Sequence, residues 1–149
     1  MTVTAGGWVR VGAYALVLDE ADRLLLVRGA STTDDPGRWW LPGGGLDFGE
    51  EPDAGVLREL AEETGLDGAI DGLAGVFSTV YPTTLERPGE PVHVVGIVYR
   101  VRATPGDLRD EVDGSTDGCA WVARTEATAL ALSPIGRFGV GLAWPSGSE

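Results

Sequence analysis

Residues 44–66 read GGLDFGEEPDAGVLRELAEETGL, a glycine turn that runs into a helix carrying Glu59, Glu62 and Glu63 with Arg58 beside them. At about 100° per residue the three glutamates share one face, while Ala54, Leu57, Leu60, Ala61 and Thr64 share the opposite one. The helix is therefore expected to pack by its back and to present its carboxylates outward. Both ends are marked. Pro52 suits the first helical position, where its missing N–H costs nothing, and Gly65 suits the left-handed residue just past the end.

Glutamates spaced at i, i+3 and i+4 repel one another by a few tenths of a kcal/mol per pair, and Arg58 alone cannot neutralise three of them. A lone exposed glutamate is ordinary on a helix. Three clustered ones call for a counter-charge. Mg²⁺ is the natural candidate, because it takes oxygen ligands, keeps several waters, and binds one or two carboxylates together with substrate phosphates.

Written as a pattern, the segment is a glycine, five residues, a glutamate, seven residues, then Arg-Glu-Leu, one residue, Glu-Glu, one residue, Gly-Leu. Gly44, Glu50, Arg58, Glu59, Leu60, Glu62, Glu63, Gly65 and Leu66 fill it. This resembles the signature box of the Nudix hydrolases, with every fixed position occupied at the right spacing. The strand that leads into Trp39-Trp40-Leu41-Pro42-Gly43 and the chain length also resemble one Nudix domain, expected here over residues 1–149. The resemblance implies an α/β fold, an α/β/α sandwich around a mixed sheet.

It also implies a division of labour. Glu59 and Glu63 are then the principal metal ligands, Glu62 completes the cluster or serves a second ion, and the Gly43 carbonyl is a further ligand. Mg²⁺ is the expected cofactor, with Mn²⁺ as a substitute. Glu50 and Arg58 tie the loop to the helix through a charge-assisted pair. Gly44, Glu50 and Gly65 are structural members of the box, and Gly55, on the glutamate face, leaves room by lacking a side chain. Within this family the general base is either a box glutamate or an acid from a distant loop. Asp107, Asp110, Glu111, Asp113 and Asp117 populate one such loop, and Glu111 is the choice outside the box. Arg28 and Arg38 are candidate phosphate contacts, with surface ion pairing as the alternative for each.

Composition narrows the chemistry. With 149 residues and 43% hydrophobic content the chain can bury a core as one unit. All eleven cations are arginine, so Schiff-base chemistry and a P-loop lysine are excluded. Cys119 is the only cysteine and is read as packing; His93 is the only histidine, which excludes multi-histidine metal sites. A net charge of −12 disfavours nucleic acid as a polymer, whereas a small phosphorylated, nucleotide-type substrate is compatible once cations sit on the acidic helix. No apolar run is long enough to span a bilayer, and no basic, apolar leader is visible, so a cytoplasmic location is expected and no membrane partner. A homodimer is left open.

The alternation of apolar residues predicts a strand over 8–18, a turn over 19–22, and 24–28 as the second arm of a hairpin, followed by a polar loop over 29–38. Further strands are expected over 74–81 and 92–102, joined by a loop over 82–91, with a short one over 120–122. A late helix is expected over 125–132. Ser133 and Pro134 read as the N-cap and first position of another, which Gly136, Gly139 and Gly141 would weaken. Tyr81 and Pro82 stand where family members of two substrate classes differ, and Trp8, Trp39 and Trp40 are either core or a stacking surface. Two functions follow: a Mg²⁺-dependent hydrolase of a phosphoanhydride in a nucleoside triphosphate or a substituted nucleoside diphosphate, or a catalytically silent module that senses nucleotides or metabolites. The intact glutamate set favours the enzyme.

Overall fold

The computed structural model describes residues 6–146. Seven strands and three helices follow in the order β1 (Trp8–Leu16), β2 (Leu24–Gly29), β3 (Trp39–Trp40), β4 (Gly43–Gly45), α1 (Pro52–Thr64), β5 (Gly68–Tyr81), β6 (Val92–Ala103), β7 (Thr116–Val122), α2 (Arg124–Ala127) and α3 (Pro134–Ala143). They build two sheets rather than the one expected. The larger is mixed, in the order β4-β1-β6-β5, with β1 and β6 parallel from Trp8↔Val92 to Leu16↔Arg100. The smaller is antiparallel, in the order β3-β2-β7.

Side-chain alternation along β1 explains the layers. Ala13, Ala15 and Val17 point to one side and pack with Val56, Leu60 and Leu66, from α1 and its end. Leu16 points to the other side and packs with Leu24, Leu26, Leu41, Ile135 and Trp144. Helix α1 thus covers one face and α3 the other, the α/β sandwich expected from the sequence.

Several boundaries differ from expectation for physical reasons. Residues 8–18 and 24–28 do not form a continuous hairpin, because β1 is already flanked by β4 and β6; only the Leu18↔Leu24 bridge and the Leu25 N–H to the Val17 carbonyl join the arms. Strand β5 begins at Gly68, ahead of 74, across two register shifts that break its alternation. Strand β7 likewise begins at Thr116, ahead of 120. The helix expected over 125–132 shrinks to α2, since Leu132 is drawn into a bridge with Trp39. Helix α3 starts as expected: the Ser133 hydroxyl accepts a hydrogen bond from the Gly136 N–H at 3.2 Å. Gly136 and Gly139 are packing requirements here, because a Cβ at Gly136 would collide with the Trp39 carbonyl and one at Gly139 with Leu41, whereas Gly141 faces open space.

Candidate active site

Helix α1 carries most of the site, and both of its ends form as expected. Pro52 opens it, and Gly65 closes it at φ 77° with its N–H on the Ala61 carbonyl. The expected face does not hold in full. Val56 is buried and Ala54 exposed, and Glu63 points inward with 0% of its surface accessible. The cause is tertiary. Strand β4 lies against the helix, and the Gly43 N–H donates to Glu63 Oε1 at 2.7 Å. Glu63 Oε2 is equally buried and has no partner among the described residues. Burial, followed by the nearby Glu59 charge, pushes the Glu63 carboxyl well above its ordinary range.

Glu59 is half-buried beside it. The missing side chain at Gly44 leaves space for Glu59, whose Oε1 would lie 3.1 Å from a Cβ there. Burial raises its pKa, Arg58 opposes the shift, and Glu62 and Glu111 add to it. Glu62 is the exposed member of the trio. Arg58 spans the set. It grips Glu50 with two hydrogen bonds, Nε to Oε2 at 2.7 Å and Nη2 to Oε1 at 3.0 Å, while Nη1 reaches Glu59 at 3.4 Å and Glu62 at 3.2 Å. Glu50 also accepts the Asp47 N–H, and the Arg58 hydrogen bond, helped by that amide, holds its carboxyl down at about 2. Gly55 lets this loop close: a Cβ there would press on Leu46 and the Glu50 carboxyl.

The acidic loop before β7 divides. Asp110 accepts the Cys119 N–H, and Asp117 is paired with Arg28 at 2.7 Å. Glu111 raises the pKa of both Glu59 and Glu63, which sets it near the cluster, but its carboxylate now accepts from the Thr116 N–H and hydroxyl at 3.2 and 3.0 Å. Arg28 also lies over the Trp39 ring, and Arg38 bonds the Leu132 carbonyl at 3.2 Å, so each arginine has a partner within the fold. Cys119 is half-buried, and burial and Asp110 push its thiol up to about 12, which keeps it protonated and inert. His93 lies on the surface, 2.7 Å from the Ser78 hydroxyl.

Beside Gly43 and Gly44 opens a cavity of about 240 Å³. Trp8, Tyr14, Trp40, Phe77 and Tyr81 contribute its aromatic lining, and Asp34, Asp35 and Glu86 its acids. The Tyr81 hydroxyl donates to Asp35 at 3.1 Å, Asp34 accepts the Leu85 N–H at 2.8 Å, and Arg87 stacks on Trp8, so the loops over 30–38 and 82–91 are cross-tied at its rim. The Trp8 indole N–H is buried and unpartnered among the described residues. Of the three early tryptophans, Trp8 and Trp40 line this cavity. Arg10 lines it too and escaped the sequence reading, because what marks it is the contact of its guanidinium with Gly45, distant in the chain.

A cation fits the carboxylates in part. Among the described residues no three acidic side chains converge to hold an ion together in their present rotamers, since Glu59 and Glu62 lean to Arg58, Glu63 to Gly43 and Glu111 to Thr116. Mg²⁺ needs only one or two carboxylates, however, and the orphaned Glu63 oxygen beside half-buried Glu59 offers an all-oxygen donor set of that kind.

The NUDIX domain family model matches residues 8–138. A MutT-like protein of Streptomyces ambofaciens is 33% identical over 118 residues, covering 79% of this chain and 66% of that protein. Diphosphoinositol polyphosphate phosphohydrolase 3-alpha of Mus musculus is 44% identical over 59 residues, 40% of this chain and 34% of its own length. The chain thus spans less than two thirds of these relatives. A MutT NUDIX hydrolase from Burkholderia pseudomallei superposes with a TM-score of 0.75 at 27% identity, over 90% of this chain and 97% of the other. No described helix is long and apolar enough to cross a membrane. Fold and family match agree that this chain belongs to the Nudix family.

Proposed function

We propose that the chain is a single Nudix domain that hydrolyses a phosphoanhydride bond in a small nucleotide, either a nucleoside triphosphate or a substituted nucleoside diphosphate, with Mg²⁺ as cofactor. One observation carries this reading: a buried carboxylate with an orphaned oxygen, Glu63, stands with Glu59 beside a glycine strand that borders an aromatic cavity. Glu59 and Glu63 would hold the metal, with Glu62 and the Gly43 carbonyl as further oxygen donors. When bound, the ion neutralises charge developing on the phosphate oxygens and helps orient water.

The chain's own residues do the rest. Arg58 and Glu50 fix the loop and helix so that Glu59 keeps its place. The cavity takes the nucleobase, stacking it on aromatic side chains and keeping water away. Glu111 turns from Thr116 towards the phosphates and accepts a proton from the attacking water, with Glu59 as its competitor for that role. The relative named diphosphoinositol polyphosphate phosphohydrolase supports a diphosphate-containing substrate. A screen of nucleoside triphosphates, dinucleoside polyphosphates and nucleotide sugars at millimolar Mg²⁺, with product identification, tests the reading. Nucleotide binding without any turnover would favour the silent sensing module.

A further inference from the structure

We propose that Arg10 is the cation that grips the substrate's phosphate chain on the cavity side of strand β4, seated in the space that Gly45 leaves by lacking a side chain. The inference rests on the nucleotide reading above and deepens it: the substrate must carry at least two phosphates in a row.

The three glycines of β4 divide the site. Successive residues of a strand face opposite ways. A Cβ at Gly44 would face the Glu59 carboxylate, whereas one at Gly45 would lie 2.5 Å from Arg10 Nε and 2.6 Å from its Nη2. The guanidinium therefore lies against Gly45, across a single thin strand from the glutamates. Strand β4 is an edge strand, paired only with β1, so no further strand separates the cavity side from the glutamates, and Glu63 accepts the Gly43 N–H of this strand.

Arg10 is also unemployed. It makes no hydrogen bond or ion pair with any described residue, whereas Arg28, Arg38 and Arg58 are each tied to a carboxylate or a carbonyl. Among the described residues it is the only cation on the cavity lining, where Asp34, Asp35 and Glu86 supply the opposite charge. A phosphate would be repelled by those acids and drawn to Arg10, so the ligand's orientation is set: base inward, first phosphate at Arg10, next phosphate over the rim of β4 at the glutamates. A planar guanidinium with paired donors suits a phosphate that bridges two neighbours.

The test uses ATP and GTP, their nucleosides adenosine and guanosine, and the variants Arg10→Gln, Arg10→Lys, Gly45→Ala and the double variant Arg10→Gln with Gly45→Ala. Titration calorimetry reads binding, and steady-state kinetics read KM and kcat. Arg10→Gln should weaken the nucleotides about 10–100-fold, the loss expected for a charge-assisted hydrogen bond, with KM taking most of the change. Nucleoside binding should stay as in the wild type, and Arg10→Lys should recover part of the loss. Gly45→Ala should mimic Arg10→Gln, because its Cβ displaces the guanidinium, and the double variant should be no worse than either single one. Wild-type nucleotide affinity in Arg10→Gln, equal weakening of nucleoside and nucleotide, or additive losses in the double variant would each overturn the assignment. A wild-type protein that binds no nucleotide would overturn the functional reading and this inference with it, whereas turnover that is unaffected in Arg10→Gln would overturn the inference alone.

Discussion

The Gly43 N–H donates a 2.7 Å hydrogen bond to one carboxylate oxygen of Glu63, while the other oxygen, just as buried, has no partner among the described residues. This pair holds the glycine strand on the glutamate helix, and it leaves a buried acid half satisfied at the place where a cation would supply the missing partner. A buried polar atom without a partner costs about 1–3 kcal/mol, so metal binding should relieve a real deficit.

Glu63→Gln should abolish most turnover, because it removes a charged ligand with little change in volume. Its effect on the metal-free protein has a definite pH dependence. The folded pKa of Glu63 is raised above the ordinary 4.5, so the native state holds a proton that the unfolded chain releases. That contribution is fully present below pH 4.5 and is lost as pH rises through the folded value. Denaturant melts in EDTA should therefore show wild-type stability falling with pH above 4.5 and a flatter profile in Glu63→Gln. Parallel profiles would mean that Glu63 titrates normally.

The Glu50–Arg58 pair runs the other way. Arg58 holds the Glu50 carboxyl down at about 2, so its contribution is present above about 4.5 and is lost as pH falls towards 2. Arg58→Met should free Glu59 and Glu62 from their ties and lower activity about 10–100-fold, as loss of a ligand-orienting partner does. Raising Mg²⁺ should restore part of it. Full activity in Arg58→Met at low Mg²⁺ would remove Arg58 from the site.

Glu111→Gln should lower kcat by about 10²–10⁴ with little change in KM, the range for loss of a general base. The acid is electrostatically coupled to Glu59 and Glu63 but turned onto Thr116, so it has to swing to act. Comparing pH–rate profiles with Glu59→Gln separates a base from a ligand, since only loss of the base removes the acidic limb. Near-normal kcat in Glu111→Gln would move the base into the box.

Helix α3 offers a paired test of packing. Gly136→Ala would drive a Cβ into the Trp39 carbonyl, a rigid neighbour, and should cost about 1–3 kcal/mol. At Gly141 nothing lies within 4 Å, so Gly141→Ala should be neutral or stabilising by up to about 1 kcal/mol. Equal effects in thermal or urea melts would contradict the seating of α3 on Trp39 and Leu41.

The helix of the box was legible because its caps and glutamate spacing are local. Pro52, Gly65 and the Ser133 cap fell where backbone chemistry requires them. Glu63's burial was not legible, since it arises when β4 folds onto α1. Phosphate contact and ion pairing stayed open for Arg28 and Arg38 in the chain, because Asp117 and the Leu132 carbonyl reach them only in three dimensions. Arg10 was overlooked because its contact with Gly45, and its lack of a hydrogen-bond or ion-pair partner among the described residues, show only in three dimensions. Strand β5 was read short because its register shifts break the alternation on which strand recognition depends.

The most direct test measures product release from a panel of nucleoside triphosphates and substituted nucleoside diphosphates while Mg²⁺ is titrated, in the wild type, Glu59→Gln and Glu63→Gln. The account predicts cleavage of a phosphoanhydride bond that saturates with Mg²⁺, is supported by Mn²⁺, and is nearly lost in both variants. Turnover that is independent of divalent metal, or that persists in both variants at saturating Mg²⁺, would contradict it.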